Sequence, residues 1–200
     1  MSGPEPWRDA IAQAWDPPPD VAHPRVLVAG LGSVLMRDDG VGVHAARALK
    51  DALPAGAVPV EIGTAILEAT PWLEWADGIV AVDALQAGGM PGTVYRIDDA
   101  LRDVDERVGT SLHEIGLVET LRMMPENRRP RRVMVIGVEP GTIACGMDLS
   151  VAVSASLAGV MEAVREAARL ILNNCRPRIL RACDDDASLA GNHNKMRAWD

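Results

Sequence analysis

A chain of 200 residues with 48% apolar side chains is long enough for one domain with a substantial core; with no Phe, that core must come from Val, Leu, Ile, Ala, Met and five Trp. A formal charge of −8 sets the chain against phosphate backbones, so no nucleic acid is expected as a partner. The three cysteines, Cys145, Cys175 and Cys183, contain no C-x-x-C pair, which argues against a disulfide scaffold and against a structural zinc site.

Residues 1–24 read as an N-terminal extension, in which WRDAIAQAW fits a short helix and DPPPD breaks it. No basic stretch followed by an apolar one opens the chain, and no apolar run approaches the roughly 20 residues of a membrane span. A soluble, cytoplasmic protein with no membrane partner is therefore expected. From Arg25 onward, apolar β-branched runs predict strands at VLVAG (26–30), VPVEI (58–62), GIVAVD (78–83), TVYRI (93–97) and RVMVIG (132–137). Helical patterns lie between and after them, at about 41–53, 65–76, 111–124 and 150–172. Several strand runs are continuous rather than alternating, the mark of strands buried on both faces. The alternation predicts an α/β fold, a three-layer αβα sandwich, over residues 25–174. Its mostly parallel twisted sheet would have about five strands with helices on both faces. The cluster Arg128 to Arg132 reads as a solvated loop. After Asn174 the chain turns polar, and 175–200 reads as a flexible tail. In it Cys175, Cys183, Asp184 to Asp186 and His193 are too irregularly spaced to predict a metal site.

In an open α/β sheet, sites form beyond the carboxyl ends of the strands. Two carboxylates fall there: Asp39, in the loop after the first strand, and Asp83, which ends GIVAVD. Asp38 beside the first reads as a turn former that bonds backbone N–H groups. A third group comes from SLHEIGL, where Ser111 and Glu114 have the spacing of a capping box and put His113 in the first turn of a helix. The positive end of the helix dipole disfavours an imidazolium there, and a neutral imidazole is a metal ligand. Asp39, Asp83 and His113 thus make an O,O,N set suited to a divalent first-row metal, with positions open to water or substrate. Each also has a plainer reading, a cap or turn for the aspartates and a solvated helix start for the histidine. GLGSVL lacks the third glycine of a G-x-G-x-x-G loop and no P-loop Lys follows, which counts against nucleotide binding. No serine or cysteine nucleophile stands out: Ser111 is better explained as an N-cap and Cys145 as a loop or core residue.

Five segments, GLGSVLMRDDGVGVH (30–44), EIGT (61–64), VAVDALQAGGMPGTV (80–94), SLHEIGL (111–117) and VIGVEPGTIACGMDLSVAV (135–153), stand in an order and spacing that resembles the NiFe-hydrogenase maturation endopeptidases. The resemblance covers about residues 25–172. It implies an endopeptidase that removes a C-terminal peptide from the precursor of the hydrogenase large subunit. It also implies that Asp39, where many relatives have Glu, Asp83 and His113 are both the metal ligands and the catalytic set. The metal would be nickel, presented by the precursor as the signal for cutting, although other divalent metals could occupy the site. The partner would be that nickel-loaded precursor, and the protein itself a monomer. The family's D-G-G-T segment, tied to partner choice, reads Glu61, Ile62, Gly63 and Thr64 here, which makes Glu61, Gly63 and Thr64 candidates for substrate recognition. Ser33 stands where Asn is frequent. Gly88, Gly89, Pro91 and Gly92, after Asp83, either line the cleft for the substrate's tail or form a plain turn. The rival reading is a non-proteolytic assembly factor that binds the nickel-loaded precursor without cutting it; the intact Asp/Asp/His set argues against it.

Overall fold

Strands form where the apolar β-branched runs predict them, and the computed structural model describes residues 17, 24–98, 100–101 and 112–174. The expected helix at WRDAIAQAW, the capping pair of Ser111 with the Glu114 side chain, and the tail 175–200 with its Cys175, Cys183 and His193 lie outside the described residues. The elements run β1 (Val26–Leu31), a 3-10 turn Arg37–Gly40, α1 (Val41–Ala48), β2 (Ala57–Gly63), α2 (Thr70–Trp75), β3 (Gly78–Ala84), β4 (Val94–Ile97), α3 (Leu112–Met123), β5 (Arg132–Val138) and α4 (Val151–Asn174). Two helices are shorter than their apolar patterns. The 41–53 pattern ends its helix at Ala48 and continues as turns, and in the 65–76 pattern the helix starts only at Thr70, where Pro71 takes a first-turn position that needs no N–H partner.

The five strands lie in the order β2-β1-β3-β5-β4; β4 is antiparallel to β5 and every other pairing is parallel. The central strands β1 and β3 are buried throughout, and β5 is buried except at Arg132. Period-2 alternation then divides the core into two layers. Leu27, Ala29 and Leu31 of β1 pack with Trp72, Leu73, Leu117 and Leu121 of α2 and α3. Val26 and Val28 face the other way, onto Val41 and Ala45 of α1 and Val160 and Val164 of α4. This is the expected sandwich. The two-sided burial expected of several strands holds for β1, β3 and β5, and the edge strands β2 and β4 are mostly part-exposed because each has a neighbour on one side alone.

Close packing of α1 on the sheet fixes the carboxyl edge. A Cβ on Gly42 would stand 2.0 Å from the Val82 carbonyl oxygen and 2.6 Å from that of Leu31, so only glycine lets the helix lie this near β1 and β3. The 3-10 turn that carries Asp39 is thereby held over the strand ends. Among the described residues no helix is long and apolar enough to cross a membrane.

Candidate active site

Asp39 lies in the 3-10 turn after β1, Asp83 is the penultimate residue of β3, and His113 sits in the first turn of α3. The structure brings these three side chains together although they are as far apart as residues 39 and 113 in the chain. The His113 Nδ1 stands 3.5 Å from Asp83 Oδ1 and 3.9 Å from Asp39 Oδ1. Asp83 is buried, whereas Asp39 and His113 keep 17% and 19% of their side chains open to solvent. Backbone amides aim both carboxylates. Ser33 donates its N–H to Asp39 Oδ2 at 2.7 Å, leaving Oδ1 to face the imidazole, and Ala84 donates to Asp83 Oδ1 at 2.9 Å. Gly32 makes this approach sterically feasible: its φ is +97°, and a Cβ there would sit 1.8 Å from the Asp39 carbonyl oxygen.

The contact with Asp83 raises the pKa of His113, and the charges of Asp83 and Asp39 add to that, against burial, which lowers it. This corrects the sequence expectation of a disfavoured imidazolium. Two carboxylates within 4 Å of the ring outweigh the partial charge of a helix end. At 3.5 Å the contact with Asp83 is electrostatic more than a well-formed hydrogen bond, and by strict geometry the buried Nδ1 has no hydrogen-bond partner. Two donors on one ion cannot stand farther apart than twice the metal–ligand bond, roughly 4 to 4.4 Å. The 3.5 and 3.9 Å separations both meet that limit. Among the described residues, however, no group of three His, Cys, Asp or Glu side chains is arranged so that it could hold a metal ion as it stands.

Two buried carboxylates that sequence reasoning did not count as part of the site hold its walls. Asp38, read as a turn former, is fully buried; its Oδ2 accepts N–H groups from Gly141 and Thr142 at 2.9 and 2.8 Å, and its Oδ1 accepts Ser150 N–H at 2.6 Å. It thereby ties the loop after β5 to the turn that carries Asp39. Glu139, the first residue after β5, accepts the N–H groups of Ala87 and Gly88 at 2.9 and 3.3 Å and the Tyr95 hydroxyl at 2.9 Å. The available signal was the one that found Asp83, an acidic residue directly after a continuous apolar strand. Gly88, Gly89, Pro91 and Gly92 thus form a pinned turn between β3 and β4, with φ of +83° at Gly88 and +85° at Gly92.

A cavity of about 330 Å³ lies beside Gly32 and Ser33 and is lined also by Leu35, Arg47, Glu61, Gly63 and Thr64. Glu61 is half-exposed and paired with Arg47 at 2.8 Å. Gly63, at φ +63°, accepts the Gly32 N–H at 3.1 Å and so joins the end of β2 to the site loop. Ile62 is displaced by the register shift between β1 and β2, and its side chain packs into the core. Cys145 is an exposed loop residue without a disulfide. The basic cluster does more than meet solvent: Arg129 donates through Nε to the Met124 carbonyl at 2.7 Å and through its guanidinium to that of Arg122, closing the end of α3.

Residues 43–167 match the family model described as hydrogenase maturation protease. The hydrogenase expression/formation protein HupD of Rhodobacter capsulatus is 35% identical over 152 residues, 71% of this chain and 70% of that protein. Among solved structures, the hydrogenase maturating endopeptidase HybD from Escherichia coli is similar at 26% identity with a TM-score of 0.65, over 73% of this chain and 93% of that one. The hydrogenase maturation protease HybD from Thermococcus kodakarensis is similar at 28% identity with a TM-score of 0.62, over 72% and 99%.

Proposed function

The chain belongs to the hydrogenase maturation protease family, and from that membership we propose that it is an endopeptidase that removes the C-terminal peptide of a nickel-loaded NiFe-hydrogenase large-subunit precursor. The observation that carries the metal part of this reading is the imidazole Nδ1 of His113 facing both Asp39 and Asp83 within 4 Å.

Nickel is here part of the substrate. Asp39, Asp83 and His113 supply oxygen and nitrogen donors to an ion that the precursor presents, and a precursor without the ion leaves the two carboxylates facing the imidazole alone. A metal so held supplies Lewis acidity toward the scissile carbonyl or a water. The chain's own part is to orient. Ser33 and Ala84 amides fix the carboxylate oxygens, and Gly32 keeps the loop close enough for both to reach one point. Glu61, Gly63 and Thr64 line the adjoining cavity and are placed to contact the precursor beside the cut. A binder that does not cut would have no need of an open donor set with positions left for reacting groups.

The test is to mix the protein with the nickel-loaded precursor and with the same precursor lacking nickel, and to weigh both by mass spectrometry. Loss of a C-terminal peptide only from the loaded form is expected. Binding without a mass change would establish the assembly-factor reading instead, and cutting of both forms would remove nickel from the recognition step.

A further inference from the structure

The carboxyl edge of the sheet carries an exposed apolar surface that the core does not use. Leu35, Met90, Ile143, Met147 and Val151 are between 44% and 88% exposed. Leu35 lies four residues before Asp39, Met90 seven after Asp83, Ile143 and Met147 in the loop after β5, and Val151 opens α4. These segments are stitched into one piece. Gly146 donates its N–H to Leu35 at 3.0 Å and accepts that of Arg37 at 2.8 Å, while Gly92 donates to the Glu139 carbonyl at 2.8 Å. A Cβ on Gly141 would stand 3.2 Å from that of Pro91. Asp38 and Glu139 pin the same loops from beneath. Arg37 is held at φ +51°, the only left-handed non-glycine among the described residues, with its N–H bonded to this loop. Apolar residues kept together on a fixed backbone and open to water mark an interaction site.

The described domain does not direct its own ends here. Pro24 meets Gly56, just before β2, and Ile171 of α4 meets Gly78, the first residue of β3. Both ends of the described domain therefore lie at the amino edge of the sheet. α4 starts beside the surface and carries the chain roughly 36 Å away over its 24 residues. Leu35 and Met90, by contrast, stand on the loops that lead to Asp39 and follow Asp83, so a polypeptide whose tail reaches those carboxylates can rest on them.

We propose that this surface docks the folded body of the hydrogenase large-subunit precursor, on an apolar area around the point where its C-terminal tail emerges, and so delivers that tail to Asp39, Asp83 and His113. The proposal rests on the processing activity above and adds where the body of the substrate sits.

The experiment uses Met90→Glu and Met147→Glu, from two of the loops, and as control Met123→Glu, an equally exposed methionine at the far end of α3. Binding of the nickel-loaded precursor, cleavage kinetics, thermal unfolding and the sedimentation of the protein alone are measured. The two surface variants are expected to raise the dissociation constant and KM by about ten-fold or more, as loss of an interface anchor does, with kcat and unfolding as in the unaltered protein and Met123→Glu without effect. Unchanged binding and KM in both variants would overturn the docking surface and leave the protease reading standing. An unaltered protein that binds the precursor but does not cut it, with binding lost in the variants, would support docking and overturn processing. A dimer of the unaltered protein that the variants dissolve would assign the surface to a second copy of this chain and overturn the proposal.

Discussion

At His113 the structure separates chemistry from packing. Its Nδ1 lies 3.5 Å from the buried Asp83 carboxylate without a well-formed hydrogen bond, and the Ala84 N–H still bonds that carboxylate when the ring is truncated. His113→Ala is expected to abolish precursor cleavage while costing less than about 1 kcal/mol in a urea melt. Normal cleavage by a folded His113→Ala protein would remove the histidine from the site. Asp38 is the opposite case. Its carboxylate takes three backbone N–H groups in a fully buried position. In Asp38→Asn one of those donors would meet an amide NH₂, so a loss of about 2–3 kcal/mol is expected, read as a lower urea midpoint. A midpoint within error of the unaltered protein would show that the loop after β5 does not depend on that carboxylate.

At the scale of elements, the site depends on how closely α1 lies on the sheet and on how the β3–β4 turn is held. Gly42→Ala would place a Cβ 2.0 Å from the Val82 carbonyl. The helix must lift, and a cost of about 1–3 kcal/mol is expected, together with slower cleavage because the Asp39 turn is joined to that helix. Glu139 gives the turn a pH dependence. Burial pushes its carboxyl up, but hydrogen bonds from the Ala87 amide, the Tyr95 hydroxyl and the Gly89 and Gly88 amides together bring it below its ordinary value. A group lowered in the folded state adds stability above its ordinary pKa, about 4.3 for Glu, and loses that contribution as pH falls through the folded value. Glu139→Gln should therefore be less stable than the unaltered protein at pH 7, with a smaller gap at an acidic pH below the ordinary Glu range. Denaturant midpoints at both pH values measure it, and a gap that does not change with pH would contradict this account.

For the molecule as a whole, both core layers are drawn from residues between 26 and 171. A chain trimmed to residues 24–174 is expected to unfold in a single cooperative transition, and loss of cooperativity would show that a removed segment contributes to the core. The element order was legible in the sequence because strands buried on both faces need continuous apolar runs, and helices laid over them need one apolar stripe; VLVAG, GIVAVD and RVMVIG say this locally. Asp39 and Asp83 were legible as candidates for the same reason, each coming just after a buried strand, and His113 by its place at a helix start. Other features were not local. Strand order, the antiparallel edge at β4, and the meeting of Asp38 with residues more than a hundred positions away depend on which segments close packing brings side by side. The direction of the His113 shift was decided the same way. The sequence shows the helix end that disfavours a charged ring, but only the assembled sheet brings two carboxylates within 4 Å to outweigh it, because Coulomb energy depends on distance in space rather than along the chain.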